Sequence, residues 1–497
     1  MATMIPIQET ENFRDDLKIV NYTLLGSPWN IEQSLRKTYN AAPLPSKLEY
    51  KDYQLNTNDN IMVVGGNIKS IFGQLHSLFK EESDLSVPEI MELPPNQITP
   101  YLNDPGYDPA GIQELYRTIR PLEKYLVQDS MTVKEAYQFL MEKSAAKDAL
   151  ADYFEYPVGS VNYLPVDKIV IPVNKENVLK YGIVSAKDAD KIADHITIKI
   201  NKRQLYKSEL LMISMFAEYN WDRAIYFSGG GISDPSNVFW LTDYLENNGF
   251  SYKLVPVKTT FGKDGKLGRS NPEKMLENFK GFKWANYNLK NASFSNTDRN
   301  YTNTYRNISS RLALDFIDKG DNKTAIEILD KVMEMIPDEP RYDFGLATER
   351  IALAYRKAGQ EEKASKLLET VKQRLVQKID YYESLPDRVR YTVSGDLSEA
   401  RSDYSMMIYE QVRAYLDAGQ KDAAMKLFQN EFKPIREKLI QSYQGYKTDG
   451  IVDVREQRNI DNQFRFVSEL LGVADMIDTV YANRQSDEIY EILTNKK

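Results

Sequence analysis

The sequence predicts two folds in one chain: a mixed α/β domain over residues 1–295, with a mixed or parallel sheet and crossover helices, and an all-α helical-repeat domain over residues 300–497. Two observations predict them. From Lys168 onward strand-like and helix-like segments alternate, and after about Asn300 the pattern becomes wholly helical, with one arrangement of aromatic, glycine and alanine appearing three times. At 497 residues the chain exceeds what one hydrophobic core supports, so more than one domain is required.

Along the first domain, "LKIVNYTLL" (residues 17–25) reads as a strand stopped by Gly26 and Pro28, and Ile31, Leu35 and Tyr39 then follow at helical spacing. Residues 56–109 read as long ordered loops around one helix, "IKSIFGQLHSLFK", with His76 on its apolar face. Thr132 followed by Glu135 is a capping box, opening a helix whose Val133, Ala136 and Leu140 share a face. The alternation comes next: "KIVIPV" as strand, "SAKDADKIADH" as a short helix capped by Ser185, "ITIKI" as strand, "KSELLMISMFAEY" as helix and "AIYF" as strand. "DPSNVFWLTDYLENNG" is expected to be one helix, with Asp234 or Ser233 as N-cap, Pro235 at its first position and Gly249 as its stop, and "FSYKLVPV" is the strand after it.

In the second domain, Phe316, Tyr355 and Tyr415 are each followed four residues later by Gly320, Gly359 and Gly419, and five residues after that by Ala325, Ala364 and Ala424. This is the tetratricopeptide pattern: glycine closes the turn between two antiparallel helices and alanine lets them approach. Repeats are placed at about 306–339, 345–378 and 405–438, with Pro337 at the end of the first and a degenerate pair over 464–497. The spacings of 39 and 60 residues between copies require insertions, the largest over residues 380–403.

Net charge is −8 and basic residues are dispersed, which argues against nucleic acid as a partner. Cysteine is absent, which removes disulfides and thiolate chemistry. No long apolar stretch predicts membrane insertion, and the first residues lack the basic and apolar regions of a signal peptide. The two histidines, His76 and His195, have no companions that suggest a metal site or a triad, and no cofactor is expected.

Two candidate sites remain. Gly229, Gly230, Gly231 and Asp234 lie between a strand and a helix start, where an anion can meet backbone N–H groups; the competing reading is a structural turn with Asp234 as cap. Asp234 stands where a dinucleotide fingerprint has its third glycine, and no Gly-Lys-Ser/Thr follows. The second candidate is the groove of the repeats, onto which Glu349, Arg356, Lys357, Tyr409 and Arg413 are expected to face; alternatively the repeats only brace the α/β domain.

Residues 8–37, 205–227, 251–259 and 282–288, running into the repeats, resemble the soluble C-terminal region of a bacterial family of protein O-mannosyltransferase-like membrane glycosyltransferases, a domain of unknown function. Asn220, Trp221 and Arg223 carry the most specific part of that resemblance. It implies a multi-pass membrane half that uses a polyprenyl-phosphate-linked sugar, with this chain on the periplasmic side of the inner membrane as a fragment of the longer protein or a separate partner. No catalytic residue carries over. The expectation is a non-catalytic accessory region that binds a protein or peptide acceptor, or a partner, and does not transfer sugar alone. The alternative is that the α/β domain binds a sugar phosphate or nucleotide sugar and contributes to transfer.

Overall fold

Four alternating isoleucines show how the first part of the chain is built. In the computed structural model, strands β4 (Lys168–Pro172) and β5 (His195–Lys199) pair antiparallel, setting Ile169 opposite Ile198 and Ile171 opposite Ile196, all four buried. The other residues of β5 face solvent, the period-two pattern of a sheet with one covered face. Burial of each isoleucine contributes about 1.5–3 kcal/mol. The structure describes residues 8, 14–63, 65–125, 128–144, 147–148, 162–228, 234–259, 267–284, 287–337, 346–448 and 454–494. It divides into two units, Met1–Asn271 and Pro272–Lys497.

The first unit is mixed α/β with small sheets. Its longer helices are α1 (Pro28–Ser34), α2 (Gly65–Ser77), α3 (Pro109–Ile119), α4 (Val133–Met141) and α5 (Lys207–Glu218); its remaining strands are β1 (Ile61–Val63), β2 (Met131–Thr132), β3 (Asn162–Leu164), β6 (Gln204–Leu205), β7 (Tyr226–Ser228), β8 (Leu245–Asn247), β9 (Ser251–Leu254) and β10 (Arg269–Ser270). These form three sheets, in orders β3-β1-β6, β2-β4-β5 and β10-β8-β9-β7. The expected single crossover sheet is thereby corrected. The sheets are mixed, with β1–β3, β2–β4 and β8–β10 parallel and β4–β5 and β8–β9 antiparallel, but α5 runs between β6 and β7, which belong to different sheets.

Helix α5 is the central element of this unit: every residue from Lys207 to Phe216 is buried. Its polar members are satisfied locally. Lys207 donates to the Gln54 carbonyl at 2.8 Å and pairs with Asp59, and Ser214 shares a 2.7 Å hydrogen bond with Ser46. The capping box of α4 forms as its spacing demands, with Thr132 Oγ1 accepting from the Glu135 backbone at 3.2 Å and Glu135 Oε2 accepting from the Thr132 backbone at 2.8 Å.

Three local expectations fail. Residues 17–25 form no strand; Asn21 instead caps the 3-10 turn Tyr22–Gly26, its side chain accepting from the Thr23 backbone. The helix expected over residues 234–249 is replaced by two 3-10 turns, Pro235–Val238 and Thr242–Tyr244, and then by β8. Phe239 and Trp240 both take positive φ there, 53° and 55°, and both are buried, with Phe239 stacked on Phe216 at 5.6 Å. A helix would send two adjacent rings in different directions, so burying both breaks it. His76 is exposed rather than on an apolar face.

The second unit is helical: α6 (Pro272–Lys280), α7 (Asn296–Asp318), α8 (Asn322–Met335), α9 (Leu346–Lys357), α10 (Glu361–Ser384), α11 (Asp387–Thr392), α12 (Ser394–Asp417), α13 (Lys421–Thr448), α14 (Val454–Ile477) and α15 (Thr479–Thr494). α7 packs on α8, α9 on α10, α12 on α13 and α14 on α15, making four hairpins. The first three turns are the same. Gly320, Gly359 and Gly419 have φ of 81°, 82° and 72°, and the N–H of the next residue donates to the carbonyl of the aromatic: Asp321 to Phe316 at 2.9 Å, and Gln360 to Tyr355 and Gln420 to Tyr415 at 2.8 Å. This is a Schellman closure, which needs a left-handed residue before the donor. Ala325, Ala364 and Ala424 have no exposed surface. The fourth hairpin turns without glycine: Asp478 accepts from the Tyr481 backbone at 3.0 Å, and buried Ala482 stands four residues on, as Ala325 stands from Asp321.

Ahead of these hairpins Phe279, Phe282, Trp284 and Tyr305 form an aromatic cluster with centroids 5.0–5.8 Å apart. Among the described residues no helix is long and apolar enough to cross a membrane.

Two glycine substitutions separate the backbone effects. At Gly359 and at exposed Gly472, inside α14, an added Cβ meets nothing within 4 Å. Gly359→Ala is expected to lower stability by about 1 kcal/mol because of its positive φ, whereas Gly472→Ala is expected to raise it by about 0.5–1 kcal/mol. Urea unfolding of the two variants checks both signs.

Candidate functional site

In the first unit, Asp234 is already engaged. Its carboxylate accepts from the Ser236 backbone at 2.9 Å and from the Ser236 hydroxyl at 2.8 Å, and these bonds hold it below the usual carboxylate range. Gly229, Gly230 and Gly231 lie outside the described residues. Lys202, whose charge lowers Asp234 further, reaches Glu209 Oε1 at 3.3 Å and stands 5.9 Å from the Trp240 ring. Glu209 is buried and also accepts from Tyr22, Ser208 and the Tyr206 backbone. Its buried charge is therefore fully compensated.

A second charged group in this unit is equally closed. Arg269 donates to Glu246 Oε2 at 2.7 and 2.9 Å and to Asp188 Oδ2 at 2.9 Å, and Lys191 adds a 2.7 Å bond to Asp188. The network ties β8 and β10 to the 3-10 turn Ala186–Lys191.

The segment most specific to the resemblance serves as a joint. Trp221 has φ +56°, is buried, and donates from Nε1 to the Pro172 carbonyl at 2.8 Å. Asn220 accepts from Asn174 at 3.0 Å and, through its carbonyl, from Asn177 at 2.7 Å; Arg223 donates to the Pro43 carbonyl at 2.6 Å. Their hydrogen bonds hold neighbouring backbone in place.

In the second unit the expected groove residues lie on α9 and α12, which are neighbours. Arg356 donates from Nη2 to Glu361 at 2.9 Å and lies 5.3 Å over the Tyr415 ring, linking α9 to α12. Lys357 is exposed, and Tyr409 and Arg413 are half-buried on α12. Glu349 differs from them: it is fully buried, and neither carboxylate oxygen has a hydrogen-bond partner. Burial pushes its pKa well above the usual range, the charge of Glu410 pushes the same way, and Arg350 opposes them.

Sequence reasoning missed one constellation. α10, α12, α13 and α14 line a cavity of about 190 Å³ that includes Glu383, Arg401, Lys438 and Gln463. Its visible signal was Pro434, inside α13. Proline cannot donate the helical bond to the Asn430 carbonyl, and its ring displaces the turn before it.

The family model described as TMEM260-associated domain 2 matches residues 4–274, more than half of the chain. The match takes in the resembling segments up to residue 259 and ends before the helical hairpins. No curated protein and no solved structure matches.

The lone carboxyl of Glu349 carries a pH signature. Because its folded pKa is raised, the folded state keeps a proton that the unfolded chain releases, so this contribution to stability is present below the ordinary glutamate pKa and is lost as pH rises through the folded value. Glu349→Gln is expected to match the parent near pH 4 and to be the more stable of the two at pH 8. Urea unfolding at the two pH values tests this; an equal or lower stability at pH 8 contradicts it.

Proposed function

We propose a function from the premise that the chain belongs to the TMEM260-associated domain 2 family: it is an accessory region of a protein O-mannosyltransferase-like system, holding a protein acceptor or partner for a membrane-embedded glycosyltransferase half. TMEM260 is a protein O-mannosyltransferase-like family. On this reading the hairpins are tetratricopeptide-like, the α/β unit docks on the membrane half, and the chain works on the periplasmic side of the inner membrane.

The observation that carries the reading is the adjacency of α7, α9 and α12, the first helices of successive hairpins. First helices side by side build the continuous surface on which helical repeats take extended peptides. On this reading Lys357, exposed on α9, and Tyr409 and Arg413, half-buried on α12, are the charged and aromatic members of that surface and suit an acidic or polar segment. The competing reading, a sugar phosphate at the glycine loop, is disfavoured because Asp234 stands where the fingerprint has its third glycine and its carboxylate already takes the Ser236 N–H.

The test is a sugar-transfer assay with the full chain and the membrane glycosyltransferase together. Combined Lys357→Glu and Arg413→Glu is expected to raise the KM for protein acceptor about tenfold with kcat unchanged, the mark of lost ground-state binding. Unchanged acceptor capture and transfer on removing residues 272–497 would overturn the proposal.

A further inference from the structure

The cavity among α10, α12, α13 and α14 is incompletely paired. Arg401 is buried, its side chain 3% exposed, and spends only Nη2, which donates to Glu383 Oε1 at 2.8 Å. Its Nε and Nη1 groups, also buried, have no hydrogen-bond partner, and neither has Oε1 of buried Gln463. Buried polar groups ordinarily have partners, and here three without one belong to residues that line a single cavity.

These unmet groups define the guest. It must accept from Arg401 and donate to Gln463, which a hydroxyl does and a carboxylate cannot. Its charge is set as well. Arg401 and Lys438 both pair with Glu383, and Asp380 brings the lining to two cations and two anions. A charged guest would add an uncompensated charge to a balanced, partly desolvated site. The remaining walls are apolar, with Ile379, Ile435 and Phe466 beside Pro434, and the Phe466 ring already carries the Arg401 guanidinium at 6.0 Å. A guest with hydroxyls on its edge and C–H groups on its face suits these walls. A volume of about 190 Å³ is below that of drug-sized sites and holds one six-membered sugar ring.

From these observations we infer that the cavity binds one neutral pyranose unit, its hydroxyls held by Arg401 and Gln463 and its C–H face against Phe466 and Ile435. The inference does not depend on the peptide surface of α9 and α12, and either stands if the other fails.

The probes are methyl glucopyranoside, mannopyranoside and galactopyranoside, offered to the full chain and read by saturation-transfer NMR. At least one is expected to bind. Gln463→Leu, which keeps the Arg401–Glu383–Lys438 ion pairs, and Ile435→Trp, which fills the cavity, are each expected to weaken that binding at least tenfold with unchanged circular dichroism. If Ile435→Trp does not fold, Gln463→Leu decides alone. Absence of transfer from all three sugars, binding unaltered in the folded variants, or displacement by acetate or acetamide at lower concentration would each overturn the assignment.

Discussion

The close approach of paired helices at Ala325, Ala364 and Ala424 is the constraint on which the second unit depends. A methyl group at each position lets the partner helix pack with no surface left to water. The Schellman turn sets the direction of approach, and its left-handed glycine is the residue that pays no steric cost there. With hairpin geometry fixed in this way, the first helices come to lie beside one another, so Arg356 of α9 reaches Tyr415 of α12 across 60 residues of sequence difference between their repeats' registers. In the insertion between the second and third copies, α10 runs on to Ser384 and carries Asp380 and Glu383 to the cavity walls, and the start of α12 brings Arg401 there.

The first unit is organised differently, by a helix buried on every side. α5 has no solvent face over Lys207–Phe216, so its polar residues are tied to loops at Ser46, Gln54 and Asp59, and those loops are ordered by the same bonds. The chain leaves α5 through Trp221, held left-handed by burial and by its bond to Pro172. A bulky residue at positive φ is strained by about 1–3 kcal/mol and persists only where its surroundings over-determine it. The Asn220–Arg223 segment that carries the resemblance thus forms a joint held by backbone contacts at Pro172 and Pro43.

Legibility in the sequence followed the range of the forces. The capping box at Thr132, the alternation in β4 and β5, the apolar run of α5 and the hairpin turns all arise from residues within a few positions of one another, and each could be read. Sheet order could not, since antiparallel neighbours and crossovers share one local pattern. Residues 234–249 carried a sound helix-start signal, Asp-Pro, yet the stacking of Phe239 on Phe216 overrode it from more than twenty residues away. The candidate sites divide in the same way. Repeat register brought Arg356 near α12, but full burial of Glu349 depends on packing that register does not report. Arg401 and Gln463 meet only because α12 and α14 pack together, and the one local hint was a proline in the middle of α13.

The two units treat these buried charges differently. In the first, Glu209 has four donors around it and Arg269 is answered by Glu246 and Asp188, so each charge taken from water is repaid by hydrogen bonds within the unit. Such closed networks hold elements in place and offer little to a ligand. In the second, Glu349 has no partner and Arg401 has one where it could use several. Unmet donors and acceptors are stability forgone, tolerated where something outside the chain supplies the missing partner. The unmet hydrogen-bonding groups of buried charges Glu349 and Arg401 thus lie in the helical unit, while the family match falls on the α/β unit.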